Sequence, residues 1–132
     1  MKYLSAASII AINVRIQQRF GTTPSIRDAE ALDYIVKSAS QEVFGRVLYP
    51  EIEQLATFYL IKVTKKHVFN EANKRTALQS AVMFLDRSGY ELKVDHQIRV
   101  AKQVVRIAQI NGEPDSLRRE TEMLVRESII KL

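Results

Sequence analysis

The stretch from His67 to Leu78 reads His-Val-Phe-Asn-Glu-Ala-Asn-Lys-Arg-Thr-Ala-Leu. It lies between two segments whose apolar residues recur at helical spacing, so its polar groups gather where one helix ends and the next begins. A helix that starts at Asn73 leaves its first backbone N–H groups unpaired, and the helix dipole makes them favourable for phosphate oxygens. Lys74 and Arg75 add positive charge in a first turn where the dipole disfavours cations, and a bound anion would resolve that conflict. The stretch therefore predicts an anion site at a helix junction.

Three further residues of the stretch are candidates for chemistry or for structure. His67 closes the preceding helix and can act near neutral pH as a base toward a hydroxyl group. Glu71 can coordinate Mg²⁺, which prefers one or two carboxylates together with phosphate and water. Phe69 is expected to point inward. Each residue taken singly also fits a structural role, with His67 as a cation at a helix end, Glu71 and Asn73 as caps, and Phe69 as core.

Outward from this stretch the sequence predicts an all-α domain of five or six helices. The segment after Pro50, through Val63 to Lys65-Lys66, is apolar all round and is expected to be the buried central helix. The predicted helices run from the N-cap Ser5 to Gly21, from Ile26 to Ser38, from Pro50 to Lys66, from Asn73 to Ser88, from His96 to Ile110 and from Ser116 to Ile130.

Two segments favour extended structure. The sequence from Gln41 to Leu48 is β-branched and aromatic around Gly45, which permits a short β-hairpin or an irregular flap. Tyr90 to Val94, after the helix-ending Gly89, is compatible with a short extended piece.

Composition narrows the class of protein. The 132 residues fit one domain, and the absence of cysteine excludes disulfides, thiolate metal sites and thiol catalysis. The apolar stretches are shorter than the roughly 20 residues of a membrane span, and the N-terminus lacks the features of a signal peptide, so a cytoplasmic protein without a membrane partner is expected. The formal charge of +5 comes from basic residues spread along the chain. That spread favours a solvated basic surface or an acidic protein partner over the binding of a nucleic acid.

The stretch from His67 to Arg75 closely resembles the signature His-x-Phe-x-(Asp/Glu)-(Gly/Ala)-Asn-(Lys/Gly)-Arg of the Fic/Doc family. The resemblance extends outward to similar residues at four further places, Arg19-Phe20-Gly21, Ile26-Arg27-Asp28, Tyr49-Pro50 and Phe84-Leu85 through Gly89-Tyr90. It covers most of the chain and implies a compact, single-domain helical bundle of the Fic/Doc type over residues 1–132.

The family resemblance implies a role for each residue of the motif. His67 would be the catalytic base, Glu71 the Mg²⁺ ligand and Phe69 a structural residue. The phosphates of ATP would be bound by Asn70, Glu71, Ala72, Asn73, Lys74 and Arg75. The family also carries a flap that docks the target, and here it would comprise Val43, Phe44, Gly45, Arg46, Val47 and Leu48.

Two chemistries occur in the family, and two positions help to distinguish them. Members that transfer AMP usually have Gly at the position of Lys74 and a second Arg at the position of Leu78. The resemblance to the Doc branch implies instead a toxin that phosphorylates a Thr of translation elongation factor Tu with ATP and arrests translation. The alternatives are a Fic-type AMP or nucleotidyl transferase acting on a protein hydroxyl, and a noncatalytic module that binds nucleic acid or protein.

The resemblance also implies regulation by a second protein. Doc-like toxins are held inactive by a Phd-like antitoxin whose C-terminal segment folds into a groove on the toxin. Other Fic proteins carry an internal inhibitory helix with Ser/Thr-x-x-x-Glu-(Gly/Asn). The segment from Ser116 to Glu120 fits the first part of that pattern, but Thr121 does not fit the last position, and we treat the match as a coincidence.

Overall fold

The computed structural model describes the whole chain, residues 1–132. The prediction of an all-α bundle with a short hairpin is confirmed. The helices are α1 (Ala6–Arg19), α2 (Ala29–Ala39), α3 (Ile52–Lys65), α4 (Asn73–Arg87), α5 (Gln97–Gln109) and α6 (Asp115–Ser128). The strands are β1 (Glu42–Val43), β2 (Arg46–Val47), β3 (Tyr90–Leu92) and β4 (Ile129–Lys131), and a 3₁₀ turn, Val94–His96, precedes α5.

Helix α3 is the centre of the fold, as its all-round apolar pattern predicts. It packs against α2, α4, α5 and α6, and its residues from Leu55 to Ile61 are all buried. The ring of Tyr59 lies 5.4 Å from that of Phe84, and its hydroxyl accepts a hydrogen bond of 3.0 Å from the backbone N–H of Leu4. The polar end of a buried tyrosine thus finds a partner in the segment before α1.

The helix starts follow local capping chemistry. The Ser5 side chain accepts from Ser8 N at 3.1 Å, so the predicted N-cap of α1 is confirmed. Helix α2 begins three residues later than predicted, because the Asp28 side chain caps it and Ile26 pairs instead with Phe69 in an isolated β-bridge. Pro50 lies outside α3, which starts after a capping box made by Glu51 and Gln54.

The segment from Gln41 to Leu48 forms a β-hairpin. Glu42 pairs with Val47 and Val43 with Arg46 in an antiparallel register. The two turn residues between the strands, Phe44 and Gly45, have φ angles of 52° and 78°. Positive φ at both positions is the geometry that matches the right-handed twist of two antiparallel strands. The turn leaves the Phe44 side chain fully exposed.

The C-terminal residues form a strand that the sequence pattern did not predict. The helix expected to reach Ile130 ends at Ser128, and Ile129–Lys131 pair antiparallel with Tyr90–Leu92. The β-branched Ile129 and Ile130 suit a strand, and the partner strand becomes available because Gly89, with φ of 87°, turns the chain after α4. No helix of the chain is long and apolar enough to cross a membrane.

Candidate active site

The loop between α3 and α4 is bounded by two residues with left-handed backbone conformations. His67 has a φ of 49° and Ala72 a φ of 63°. Such angles cost a non-glycine residue on the order of 1 kcal/mol or more, so the surrounding contacts must impose them. His67 follows the end of α3, and Ala72 comes directly before α4, which starts at Asn73. The loop is thus a strained connection held in place by other parts of the chain.

His67, the predicted base, lies at the start of this loop. Its side chain is exposed and forms no hydrogen bond or ion pair within the chain. The only histidine with such a partner is His96, whose ring Nδ1 lies 3.1 Å from Ser128 Oγ. The His67 imidazole is therefore free to contact a molecule that arrives from solvent.

Asn73 fixes the shape of the loop from inside it. Its side-chain Oδ1 accepts from Phe69 N at 3.1 Å, and its Nδ2 donates to Phe69 O at 3.0 Å. The Phe69 side chain is buried in the core cluster. Oδ1 and one N–H of Nδ2 are thus engaged with Phe69, while the second N–H of Nδ2 and the backbone N–H of Asn73 make no hydrogen bond within the chain.

Asn70 links the loop to the segment before α2. Its Nδ2 donates to Thr23 O at 2.9 Å, and its Oδ1 accepts from Ser25 N at 3.0 Å and from Gln17 Nε2 at 2.9 Å. The Asn70 backbone N–H donates to Ser25 O at 3.1 Å. The backbone N–H and one N–H of the Nδ2 amide are thus engaged within the chain, and the Asn70 side chain holds two segments together. The contact of Asn70 with phosphate stays a prediction.

Two buried residues of α1, which the sequence reasoning missed, hold the same loop. Asn13 Nδ2 donates to Glu71 O at 2.9 Å and to Thr76 Oγ1 at 3.1 Å. Gln17 Nε2 donates to Asn13 Oδ1 at 2.9 Å. The available signal was the stripe of Ile9, Asn13 and Gln17 at i, i+4 spacing, because polar residues within an apolar stripe need buried partners.

The start of α4 presents a run of unpaired donors. The five backbone N–H groups from Glu71 to Arg75 have no hydrogen-bond partner within the chain, and no side chain caps the helix. Lys74 and Arg75 are exposed beside them and form no ion pair. Free N–H groups, a helix dipole and two unpaired cations together make this end of α4 suited to an anion with several oxygens.

Glu71 carries the only carboxylate of the loop between α3 and α4. It is exposed, and its side-chain oxygens accept no hydrogen bond and pair with no cation in the chain. No group of three or more metal-binding side chains exists in the chain. Mg²⁺ bound to a nucleotide needs only one or two carboxylates, since phosphates and water supply the other oxygens. The donor set around Glu71 therefore fits Mg²⁺ carried in with a nucleotide, and it does not fit a site made by protein alone.

Two further residues of the sequence patterns, Leu78 and Glu120, lie outside the loop. Leu78, at the position where the family resemblance implies a second arginine in AMP-transferring members, is half-buried and packs against the apolar core. Glu120, the residue that fits an inhibitory-helix pattern, is bound instead by Arg106 Nε at 2.6 Å and by Gln103 Nε2 at 2.8 Å. The hydrogen bond from Arg106 lowers the pKa of Glu120, which keeps this carboxylate charged and paired within α5 and α6.

Residues 3–85 match the model of the Fic/DOC family. The matched part contains α1, α2, the β1–β2 hairpin, α3, the loop and most of α4. The chain belongs to the Fic/Doc family. Among Fic/Doc proteins it is 36% identical over 95 residues to Protein kinase doc of Escherichia phage P1, an alignment that covers 70% of this chain and 72% of the phage protein. It is 29% identical over 102 residues to Toxin Doc of Mycolicibacterium smegmatis (strain ATCC 700084 / mc(2)155), covering 76% and 78% of the two chains.

Proposed function

We propose that this chain is a Doc-type toxin that transfers the γ-phosphate of ATP to a hydroxyl group of another protein. The observation that carries the proposal is the run of unpaired N–H groups from Glu71 to Arg75, which begins four residues after the exposed His67. One loop thus joins an anion-binding helix end to a free base. The similar phage P1 protein is named a protein kinase, which supports a kinase over other transferases.

In the proposed step the N–H groups of α4, with Lys74 and Arg75, bind and orient the phosphates of ATP. The target hydroxyl oxygen attacks the γ-phosphorus, and His67 takes the hydroxyl proton as the bond to phosphorus forms. The bond between the γ-phosphorus and the bridging oxygen to the β-phosphate breaks, and ADP leaves with the electron pair. General-base assistance of this kind contributes about 10²- to 10⁴-fold to a rate.

Glu71 would hold Mg²⁺ together with oxygens of the phosphates. The ion would neutralise charge that develops on the phosphate oxygens during transfer. The free and exposed carboxylate of Glu71 supports this assignment.

Phosphate transfer is favoured over AMP transfer by two side chains. Lys74 places a long cationic side chain at the first turn of α4, where AMP-transferring relatives leave space. Leu78 packs against the core and supplies no cation to the distal phosphates. Both features favour a nucleotide orientation that presents the terminal phosphate to the hydroxyl.

We propose a Thr of translation elongation factor Tu as the target, which would account for a toxin that arrests translation. The experiment is to incubate the purified chain with elongation factor Tu, Mg²⁺ and ATP labelled separately at the α- and γ-phosphates. The proposal predicts γ-label on elongation factor Tu. Label from the α position would show nucleotidyl transfer. If neither position labels the protein, elongation factor Tu is excluded as the target.

The control for the base is the matched pair His67→Ala and His96→Ala, because these are the only two histidines in the chain. The proposal predicts that the first variant loses the transfer and the second keeps it. Equal activity of both variants would contradict the role of His67.

A Phd-like antitoxin is the proposed partner. The formal charge of +5 suits an acidic segment, since opposite charges accelerate encounter and favour the correct partner. Co-purification of the chain with the product of a neighbouring gene, in a complex that blocks γ-label transfer, tests this. A neighbouring product that binds but leaves transfer unchanged would contradict it.

A further inference from the structure

Arg75 does not extend freely into solvent, because it lies over an aromatic ring of another helix. Its guanidinium carbon is 4.1 Å from the centre of the Phe20 ring. Phe20 is the residue that ends α1, and it is 56% exposed, so it adds little to the hydrophobic core. Arginine stacks on aromatic faces through its planar, weakly hydrated group, which limits the orientations that it samples.

Phe20 lies on the side of α1 that holds the loop through hydrogen bonds. Asn13, Gln17 and Phe20 are spaced four and three residues apart, so they follow one another along one side of the helix. The first two are fully buried and bind the backbone and side chains of Asn70, Glu71 and Thr76. The ring of Phe20 is therefore attached to a helix whose position relative to the loop is fixed by buried hydrogen bonds.

We infer that Phe20 is a positioning residue for nucleotide binding, which holds the Arg75 guanidinium in the orientation that meets phosphate oxygens. This inference rests on the proposed function, because it assigns phosphate binding to Arg75. Phe20 itself touches neither the phosphates nor the reacting hydroxyl in this account. It acts by lowering the conformational entropy that the Arg75 side chain loses when ATP binds.

The test is the affinity of ATP for a set of variants made in the His67→Ala protein, which cannot turn the nucleotide over. Phe20→Leu removes the aromatic face and keeps an apolar side chain. Loss of an exposed cation–π contact is expected to weaken the binding of ATP to the Phe20→Leu protein by about two- to fivefold. Phe20→Tyr keeps the face and is expected to retain the parent affinity. With His67 present, Phe20→Leu is expected to raise KM for ATP and leave kcat unchanged, as loss of uniform binding does.

The matched control is Tyr3→Leu, which also replaces an exposed aromatic residue by leucine. Tyr3 lies just before α1, at the end of that helix opposite to Phe20. It is expected to leave ATP affinity unchanged. The thermal midpoints of all three variants are expected to equal that of the parent, which separates positioning from folding.

A double-mutant cycle with Arg75→Lys, which keeps the charge but loses the planar stacking group, isolates the pair. We expect Phe20→Leu to have no further effect in the Arg75→Lys protein. The inference is overturned if Phe20→Leu leaves ATP affinity unchanged, or if its effect is the same with Lys at position 75. If the parent protein does not bind ATP at all, the proposed function fails and this inference fails with it, a result distinct from the other two.

Discussion

Asn13→Ala is the substitution whose effect follows most directly from the contacts around the loop. The Asn13 amide is fully buried and takes part in three hydrogen bonds, with Glu71 O, Thr76 Oγ1 and Gln17 Nε2. Each such bond contributes about 1 kcal/mol net, and its loss leaves a buried partner unpaired. We expect the free energy of unfolding to fall by about 3 kcal/mol. For a chain of 132 residues, this corresponds to a thermal midpoint lower by about 10 °C.

Urea denaturation and calorimetry of the Asn13→Ala protein measure this loss. Asn111→Ala is the control, because Asn111 is exposed in the connection before α6 and forms no side-chain hydrogen bond, so a change within about 0.5 kcal/mol is expected. A loss below about 1 kcal/mol for Asn13→Ala would refute the reasoning. It would mean that the buried amide does not hold α1 to the loop.

Three further substitutions test separate parts of the account. His67→Ala is expected to leave the free energy of unfolding within about 0.5 kcal/mol of the parent, because the side chain is exposed and unpaired. Phosphate transfer is expected to fall about 10²- to 10⁴-fold. A loss of activity that is explained by a matching loss of folded protein would contradict a chemical role. Gly89→Ala is expected to cost about 1 kcal/mol in urea denaturation, because the residue has a φ of 87°, and a neutral effect would contradict the turn described after α4. For Lys62, burial opposes the charged form, but the hydrogen bond and charge of Glu113 outweigh it and raise its pKa above the usual 10.5. The ion pair therefore stabilises the fold fully below pH 10.5, and this stabilisation is lost as the pH rises through the higher pKa that Lys62 has in the folded state. Glu113→Gln is expected to cost about 1 kcal/mol near neutral pH and less in strong alkali. A cost that did not shrink in alkali would contradict this assignment.

The elements that the sequence predicted well are those whose signals are local. Ser5 caps α1 through a residue three positions away, and α3 is apolar on every side, so neither needed knowledge of a distant segment. Strand β4 could not be predicted in this way. Ile129–Lys131 continue the spacing of α6 in sequence, and they become a strand only because Tyr90–Leu92 lie beside them in space.

The same distinction applies to the site. His67, Lys74 and Arg75 could be singled out because they are close in sequence and match a family pattern. The bonds of Asn13 to Glu71 and of Gln17 to Asn70 join residues 58 and 53 positions apart. The spacing within α1 therefore indicates that two polar residues need buried partners, but it does not identify those partners. These contacts also explain how the Asn70 side chain holds the loop to the segment before α2.

The proposed role of the segment from His67 to Arg75 is to bind the phosphates of a nucleotide and to transfer a phosphorus group to a protein. Mass spectrometry of elongation factor Tu after incubation with the chain, Mg²⁺ and ATP tests it most directly. The account predicts that one Thr gains the mass of a single phosphate group, and that the His67→Ala protein produces no such gain. A gain equal to AMP would contradict phosphate transfer, and an unchanged yield with His67→Ala would contradict the site itself.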